Sequence, residues 1–325
     1  MSGPLSSSPH YALPDPLAAL DQGGTLHSAR FNETYHARTG AFVRATRMFM
    51  AGTDTPGRWR GKPHFTVADI GFGVGINFLT LWEAWRRDPQ RPRALHVVAF
   101  EGCPLAADDL RRVLTALLPQ ARMADVHALL AQWPARLPGV HRLEFEGGRV
   151  TLTLSFGDVR HTLPQADATV DAFFLDGFSP TRNPEMWTAD VMAHLARLAA
   201  PGARLASWVT ERAVVNGLRA AQFEAEIVGG AAGGLMMTQG TYGGAGRRAV
   251  PSAPEHVLVV GGGIAGAGIA HALALRGAAV TVLDAAPAGV GQGVHVGHRA
   301  AALTPLMSRD DDVRARLSRA GSHRA

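Results

Sequence analysis

From residue 64 onward, short apolar runs alternate with stretches whose apolar residues recur at helical spacing. HFTVADI (64–70), ALHVVAFE (94–101), RVTLTLSF (149–156), DAFFLD (171–176), ARLASWV (203–209) and FEAEIV (223–228) read as strands. Between them, Ile76–Arg87 places Phe78, Leu79, Leu81, Trp82 and Trp85 on a broad apolar side, and Leu105–Leu118 carries Leu110, Val113, Leu114 and Leu117 on one face. Helices are also predicted at about 185–199, ended by Pro201-Gly202, and over Thr210–Ala221. Continuously apolar strands separated by helices call for a parallel sheet covered on both faces. The predicted fold class is therefore α/β, a doubly wound Rossmann-like domain over 61–245.

Upstream, ARFNETYHARTGAFVRATRMFMAG (29–52) mixes aromatic and β-branched residues with polar ones, which predicts a small antiparallel or irregular entry element within 1–60. Downstream, 229–255 is dense in Gly, Ala, Ser and Pro, as in a flexible linker or a glycine-rich closing hairpin, with the linker itself at 246–255. A new strand–turn–helix–strand unit runs from His256 to Asp284, and 256–325 reads as the start of a second Rossmann-type domain. Its stretch 257–275 has no Asp, Glu, Lys or Arg over about the length of a membrane helix. The GGG and AGAG that follow its β-branched run favour strand, tight turn and helix instead.

Composition adds limits. At 325 residues, 46% apolar and 18% charged, the chain is an ordinary globular one with room for one large or two modest domains. The net charge of +5 is carried almost wholly by arginine, which opens the question of nucleic-acid binding without answering it. A single cysteine, Cys103, excludes an internal disulfide and reads as a packing residue. The histidines show no ligand spacing, so no metal is expected. The N-terminus lacks the basic start and apolar core of a signal peptide, so the expected location is cytoplasmic.

The first chemical candidate is Asp69-Ile-Gly71-Phe-Gly73-Val-Gly75-Ile-Asn77, between the first strand of the domain and its helix. Alternating glycines there tolerate positive φ and let a ligand approach the backbone. Glu101, 26 residues beyond Gly75, ends the second strand where an acid would accept both ribose hydroxyls. The glycines run G-x-G-x-G after an acid, whereas the pyrophosphate fingerprint is G-x-G-x-x-G, and an acid beside a pyrophosphate would repel it. Asp69 suits the cationic end of S-adenosylmethionine. Asp158, in SFGDV, is placed to accept from the adenine amine. The simpler reading is a structural glycine turn with surface acids, which the ordered occurrence of three matching elements disfavours.

The second candidate is Asp176-Gly-Phe-Ser-Pro-Thr-Arg-Asn183-Pro-Glu-Met-Trp187, at the end of the fourth strand. Ligands of open α/β sheets sit beyond the carboxyl ends of strands, so Asp176 should face the transferred methyl. A carboxylate there can orient an amine, receive its proton and favour a cationic transition state. A helix-capping acid is the simpler alternative for Asp176, and a core tryptophan capping the sheet is favoured over a base-stacking one for Trp187. The third candidate is Gly261-x-Gly263-x-x-Gly266, with Asp284 ending the next strand. This has dinucleotide spacing in its full context, and FAD fits it at least as well as NAD. Some forty residues follow Asp284, too few for the rest of such a domain.

Taken with LPGVHRLEFEGGRVTLTLSFGD, FEGCPL, ETYHA (33–37) and GGGIAGAGIAHALALRG, these motifs resemble the MnmC family of bacterial bifunctional tRNA wobble-uridine modification proteins, over most of residues 25–285. The resemblance implies that the first domain methylates 5-aminomethyl-(2-thio)uridine in the tRNA anticodon region, using S-adenosylmethionine. A following FAD domain would remove carboxymethyl from the 5-carboxymethylaminomethyl form, an activity expected to be lost here by truncation. On matching motifs, Gly71, Gly73, Gly75 and Glu101 carry over as S-adenosylmethionine contacts, Tyr35 as a further one, and Asp176 as the residue nearest the amine. The chain departs from the family in having GGAAGGLMMTQ (229–239) where a basic stretch is usual, and Val296, His298 and Ala301 where Ser, Asn and Gly are usual. A methyltransferase acting on a small-molecule amine, and a non-catalytic remnant that binds cofactor or RNA, are the alternatives.

Overall fold

The computed structural model describes residues 13–36, 40–229, 236–246, 254–286, 304–306, 308 and 312–324. The entry element is a three-stranded antiparallel sheet of β1 (Ala18–Leu20), β2 (Leu26–Ser28) and β3 (Glu33–His36). A short helix α1 (Ala41–Arg44) runs into a π-helical turn, Ala45–Met50, whose Met48, Phe49 and Met50 are buried.

Then follow β4 (His64–Ile70), α2 (Ile76–Arg87), β5 (Ala94–Glu101), α3 (Ala107–Leu117), α4 (Met123–Ala131), β6 (Gly139–Phe145), β7 (Val150–Phe156), α5 (Val159–Thr162) and β8 (Val170–Leu175). They continue with α6 (Ala189–Leu198), β9 (Ala199–Ser207), α7 (Arg212–Ala220), β10 (Phe223–Gly229) and β11 (Met236–Tyr242). The main sheet has the order β10-β11-β9-β8-β4-β5-β7-β6. Its five central strands are parallel, while β6 and β11 run antiparallel to their neighbours. The chain winds outward from β4 through β5 to β7 on one side, and through β8 to β9 on the other. The order therefore reverses between β4 and β8, where a doubly wound sheet opens a crevice.

The apolar strands dictate this arrangement. Phe65, Val67, Ala68 and Ile70 of β4 are all buried, so the strand must be covered on both faces. On one face, α2 buries Phe78, Leu79, Leu81, Trp82 and Trp85, with Phe78 and Trp82 packed on Phe145 at 5.5 and 4.5 Å between ring centroids. On the other, α6 and α7 bury Val191, Leu195, Val214 and Leu218 against Phe173 and Leu205.

Of the two readings for the stretch from 229, linker or closing hairpin, residues 236–242 take the hairpin: they form β11, which inserts between β9 and β10 as its second arm. Its buried Met237 and Thr238 explain the insertion despite the glycine-rich approach. The helix predicted at about 185–199 is α6, which ends at Leu198, three residues before Pro201-Gly202; β9 begins at Ala199 and bulges through that dipeptide. The edge strand β6 and helix α4 carry no strong periodic signal and were not anticipated. β6 alternates exposed and half-buried positions at its start, as an edge strand does.

The second unit pairs β12 (His256–Val260) in parallel with β13 (Ala279–Leu283) across helix α8 (Ile264–Leu275). Helix α8 has no buried residue, and Val260 and Ile264 are 84% and 79% exposed. A last helix, α9 (Val313–Arg324), follows. No described helix is long and apolar enough to cross a membrane. Val296, His298 and Ala301 lie outside the described residues.

Candidate active site

The cleft at the carboxyl ends of the central strands has a volume of about 1210 Å³. Gly71, Gly73, Glu101, Asp158, Asp176 and Tyr35 all line it. Beneath it, the turn after β4 is held by two bonds from Gly71 N and Phe72 N to the Phe100 carbonyl, both 3.1 Å. Gly71, Gly73 and Gly75 all have positive φ, at 99°, 57° and 81°. Their roles differ. A Cβ on Gly71 would stand 2.6 Å from the Asp176 carbonyl oxygen, so this glycine lets the two strand ends touch. A Cβ on Gly75 would strike the Phe72 ring at 2.8 Å, and Gly75 starts α2 rather than lining the cleft. At Gly73 the nearest atom would be Tyr35 Cδ1 at 3.5 Å, leaving the backbone open to a ligand.

Glu101 closes β5 with its carboxylate over this turn. Its Oε2 accepts from Gly73 N at 2.7 Å and its Oε1 from Cys103 N at 2.7 Å. Burial raises the Glu101 carboxyl above its ordinary value, against the opposing backbone bonds. Each oxygen keeps a lone-pair position for a hydroxyl donor. Tyr35 meets Phe178 edge-on at 4.9 Å between centroids. Burial, with Glu101 and Cys103 alongside, pushes its phenol up, so it remains a neutral wall of the cleft.

Asp69 and Asn77 lie under the cleft floor and are buried. Asn77 Nδ2 donates to Asp69 Oδ1 at 3.3 Å and to Asp176 Oδ2 at 2.9 Å, bridging the two carboxylates. Asp69 Oδ2 has no hydrogen-bond partner. Burial, then the Asp176 charge, raises the Asp69 carboxyl well above the usual carboxylate range. Asp158 caps α5 by accepting from Arg160 N at 2.9 Å, and its carboxylate pairs with the Arg160 guanidinium at 2.6 Å. Burial would raise this acid, but the Arg160 bonds outweigh it and hold it below its ordinary value.

Asp176 N donates to the Ile70 carbonyl at 2.9 Å, which fixes the catalytic candidate directly beside the glycine turn. The carboxylate is shared between Asn77 and Arg44, whose Nη2 lies 2.9 Å from Oδ1. Arg44 also covers the Trp208 ring at 5.2 Å. The segment after Asp176 is braced from both sides. Glu33 Oε2 accepts from Ser179 N at 3.1 Å and from Ser179 Oγ at 2.7 Å, and Phe31 stacks on Phe178 at 4.4 Å. Trp187 Nε1 donates to the Phe178 carbonyl at 2.8 Å and packs on the core, which is the sheet-capping role. Arg44, Glu33, Phe31 and Trp208 were not singled out from the sequence. The first three come from the entry element, whose irregular pattern gave no sign of which residues face the cleft.

In the second unit, Gly262 N donates to Asp284 Oδ2 at 2.5 Å and Ala286 N to Oδ1 at 2.8 Å. A Cβ on Gly266 would overlap the Gly261 carbonyl at 1.7 Å, so this glycine permits close helix–strand packing, while Gly263 faces open space. None of these residues lines the main cleft. Among the described residues, no group of three or more His, Cys, Asp or Glu could hold a metal ion.

The donor set fits S-adenosylmethionine: an open glycine backbone and an acid at the β5 tip line one cleft, above a buried carboxylate with an orphaned oxygen. The second turn fits the phosphate and ribose end of a dinucleotide such as FAD, with a backbone free of Cβ at Gly263 and Asp284 at the strand end.

Comparison with known proteins bears on both units. Residues 121–242 match a family model described as S-adenosyl-L-methionine-dependent methyltransferase, and residues 256–324 match one described as FAD dependent oxidoreductase. The chain is 47% identical over 303 residues to the tRNA 5-methylaminomethyl-2-thiouridine biosynthesis bifunctional protein MnmC of Azoarcus sp. (strain BH72), covering 93% of this chain and 47% of that protein. It is 46% identical over 307 residues to the protein of the same name from Aromatoleum aromaticum, covering 94% and 47%. The chain thus spans about half the length of the curated relatives it matches. The fold is similar to the crystal structure of MNMC2 from Aquifex aeolicus, with a TM-score of 0.56 at 22% identity, covering 73% of this chain and 71% of that one.

Proposed function

Over the residues it spans, the chain belongs to the MnmC family of bifunctional tRNA 5-methylaminomethyl-2-thiouridine biosynthesis proteins, and from that premise we propose that residues 61–245 methylate the primary amine of 5-aminomethyl-(2-thio)uridine at the tRNA wobble position. The product is the 5-methylaminomethyl base, the donor is S-adenosylmethionine, the partner is the anticodon region of tRNA and the place of action is the cytoplasm. The observation that carries this reading is the seam between Gly71 and Asp176, which sets a carboxylate at the lip of the glycine turn.

S-adenosylmethionine supplies a methyl carbon on a sulfonium, which leaves as the amine lone pair forms the carbon–nitrogen bond and the carbon–sulfur pair returns to sulfur. Glu101 would hold the ribose hydroxyls, and Asp158 and its neighbours would face the adenine. Asp69, buried beneath the floor, would support the cationic end indirectly, through Asn77 and the turn it underlies. Gly71, Gly73 and Tyr35 would form the wall, with Gly75 and Asn77 holding the turn and the two acids in place. Asp176 would accept an N–H from the arriving amine, aim its lone pair and receive the proton released by the secondary ammonium product. We assign 1–60 to the entry element, 246–255 to a linker and 256–325 to an FAD-binding segment in which Gly261, Gly263, Gly266 and Asp284 hold the pyrophosphate and ribose. Its oxidoreductase chemistry is no part of the proposal.

The test is transfer of labelled methyl from S-adenosylmethionine to tRNA lacking the final methyl. Incorporation at the wobble uridine supports the reading. Folded protein that binds the donor but labels no such tRNA overturns it.

A further inference from the structure

The floor beneath the methyl-transfer position is acidic, and a methyl acceptor is useful there only without a proton on its nitrogen. Asp69 and Asp176 are tied through one Asn77 Nδ2, and Glu101 closes the adjacent strand. Burial favours the neutral form of Asp69 and Glu101, so the charge to reckon with is that of Asp176; left uncompensated, it would draw the ammonium form of an amine, which has no lone pair to offer. An opposite charge within a few ångströms favours the charged form of a titrating group, and a like charge disfavours it.

Arg44 is the compensating group. Its Nη2 occupies Asp176 Oδ1, its guanidinium lies over Trp208, and it lines the cleft. Its Nε has no hydrogen-bond partner, so the ion pair and the stack set its position. Among the described residues Arg44 is the cation paired with Asp176. Arg30, Arg142, Arg160 and Arg316 also line the cleft, as do Asp158, Asp167 and His161, with Arg160 paired to Asp158. From β3, Glu33 is held by Ser179 and Tyr35 is a neutral wall; from the turn before α6, Glu185 adds a further acid to the cleft; the residue after β9 is the uncharged Trp208. We propose that Arg44 is a positioning and selectivity residue that cancels the field of Asp176 and repels the ammonium form, so that the site takes its amine as the free base. The carboxylate retains lone-pair positions to orient a neutral N–H donor. This rests on the aminomethyl-uridine reading.

The experiment compares pH profiles of kcat, which report ionisations within the bound complex, for methyl transfer to saturating aminomethyl-bearing tRNA by the full chain, Arg44→Lys, Arg44→Gln and Arg44→Met. The lysine variant should follow the parent. In the glutamine and methionine variants the acid limb should move about one pH unit higher, a roughly tenfold loss on that side, with rates recovering towards the parent at alkaline pH. A second readout is equilibrium binding of the same tRNA at pH 6 in the presence of S-adenosylhomocysteine, which should tighten in Arg44→Met and not in Arg44→Lys. Unchanged profiles in both neutral variants, or an equal loss at every pH with donor affinity retained, overturn the proposal. A parent protein that methylates no aminomethyl tRNA overturns the functional reading, and this one with it.

Discussion

Asp176 ties three parts of the chain together, since its backbone bonds β4 and its carboxylate is held from α2 and α1. Asp176→Asn keeps the shape and much of the hydrogen bonding but removes the proposed proton acceptor. Loss of general-base help typically costs about 10²–10⁴ in rate, so labelled-methyl turnover should fall by about that factor. Calorimetric affinity for S-adenosylhomocysteine should stay within a few-fold, and a matching loss of both would show that the residue is merely structural. Asp69 behaves differently. Its folded-state carboxyl is raised by burial and by Asp176, so the folded chain binds that proton more tightly than the unfolded one. Stability from this residue therefore falls as pH rises from about 3.9, the unfolded value, towards the folded one. Asp69→Asn should raise the melting temperature of the ligand-free protein at pH 7, flatten its decline between acid and neutral pH, and weaken donor binding. A lower melting temperature at pH 7 would contradict this account. Asp69, Glu101 and Asp176 were legible because each ends an apolar strand. Arg44 was not, because its contact with Asp176 spans 132 positions and leaves no periodic trace.

At the scale of elements, the glycine turns separate local from shared roles. Gly71→Ala would add a strained φ and a methyl against the Asp176 carbonyl, a cost on the order of 1–3 kcal/mol for the backbone alone. Donor affinity and turnover should fall together, and a variant that loses neither would show that the seam is slack. Gly266→Ala meets the Gly261 carbonyl in the second unit instead. It should weaken protection of α8 amides in hydrogen exchange while leaving methyl transfer unchanged. Loss of methyl transfer in that variant would mean the two units are coupled. The sheet itself was legible wherever strands are apolar on both faces. The strand missed, β6, is the antiparallel edge, whose first positions alternate exposed and half-buried; β11 was legible only as an arm of a hairpin, because MMTQGTY holds polar residues and a glycine at covered positions.

For the whole molecule, the net charge of +5 acquires meaning beside an RNA substrate. Arg30, Arg142 and Arg160 line the same cleft as the acids of the floor, so cationic groups stand where a polyanion would arrive. Affinity for tRNA should fall linearly on a log–log salt plot, by roughly tenfold between 50 and 200 mM for two or three phosphate contacts. A flat response with turnover intact would favour a small-molecule amine. Residues 229–239, GGAAGGLMMTQ, carry no basic side chain, so attraction to phosphate has to come from arginines such as these.

The entry sheet bears on how such a site can diversify. Glu33 and Arg44 reach the reacting centre from a segment that contributes no strand to the main sheet. Exchanging that segment would alter which acceptor is admitted and the Tyr35 wall, while the glycine turn and the acid at the β5 tip stay as they are. Selection could then retune the chemistry by editing a prefix of the chain, without disturbing the strand junction that every methyl must pass.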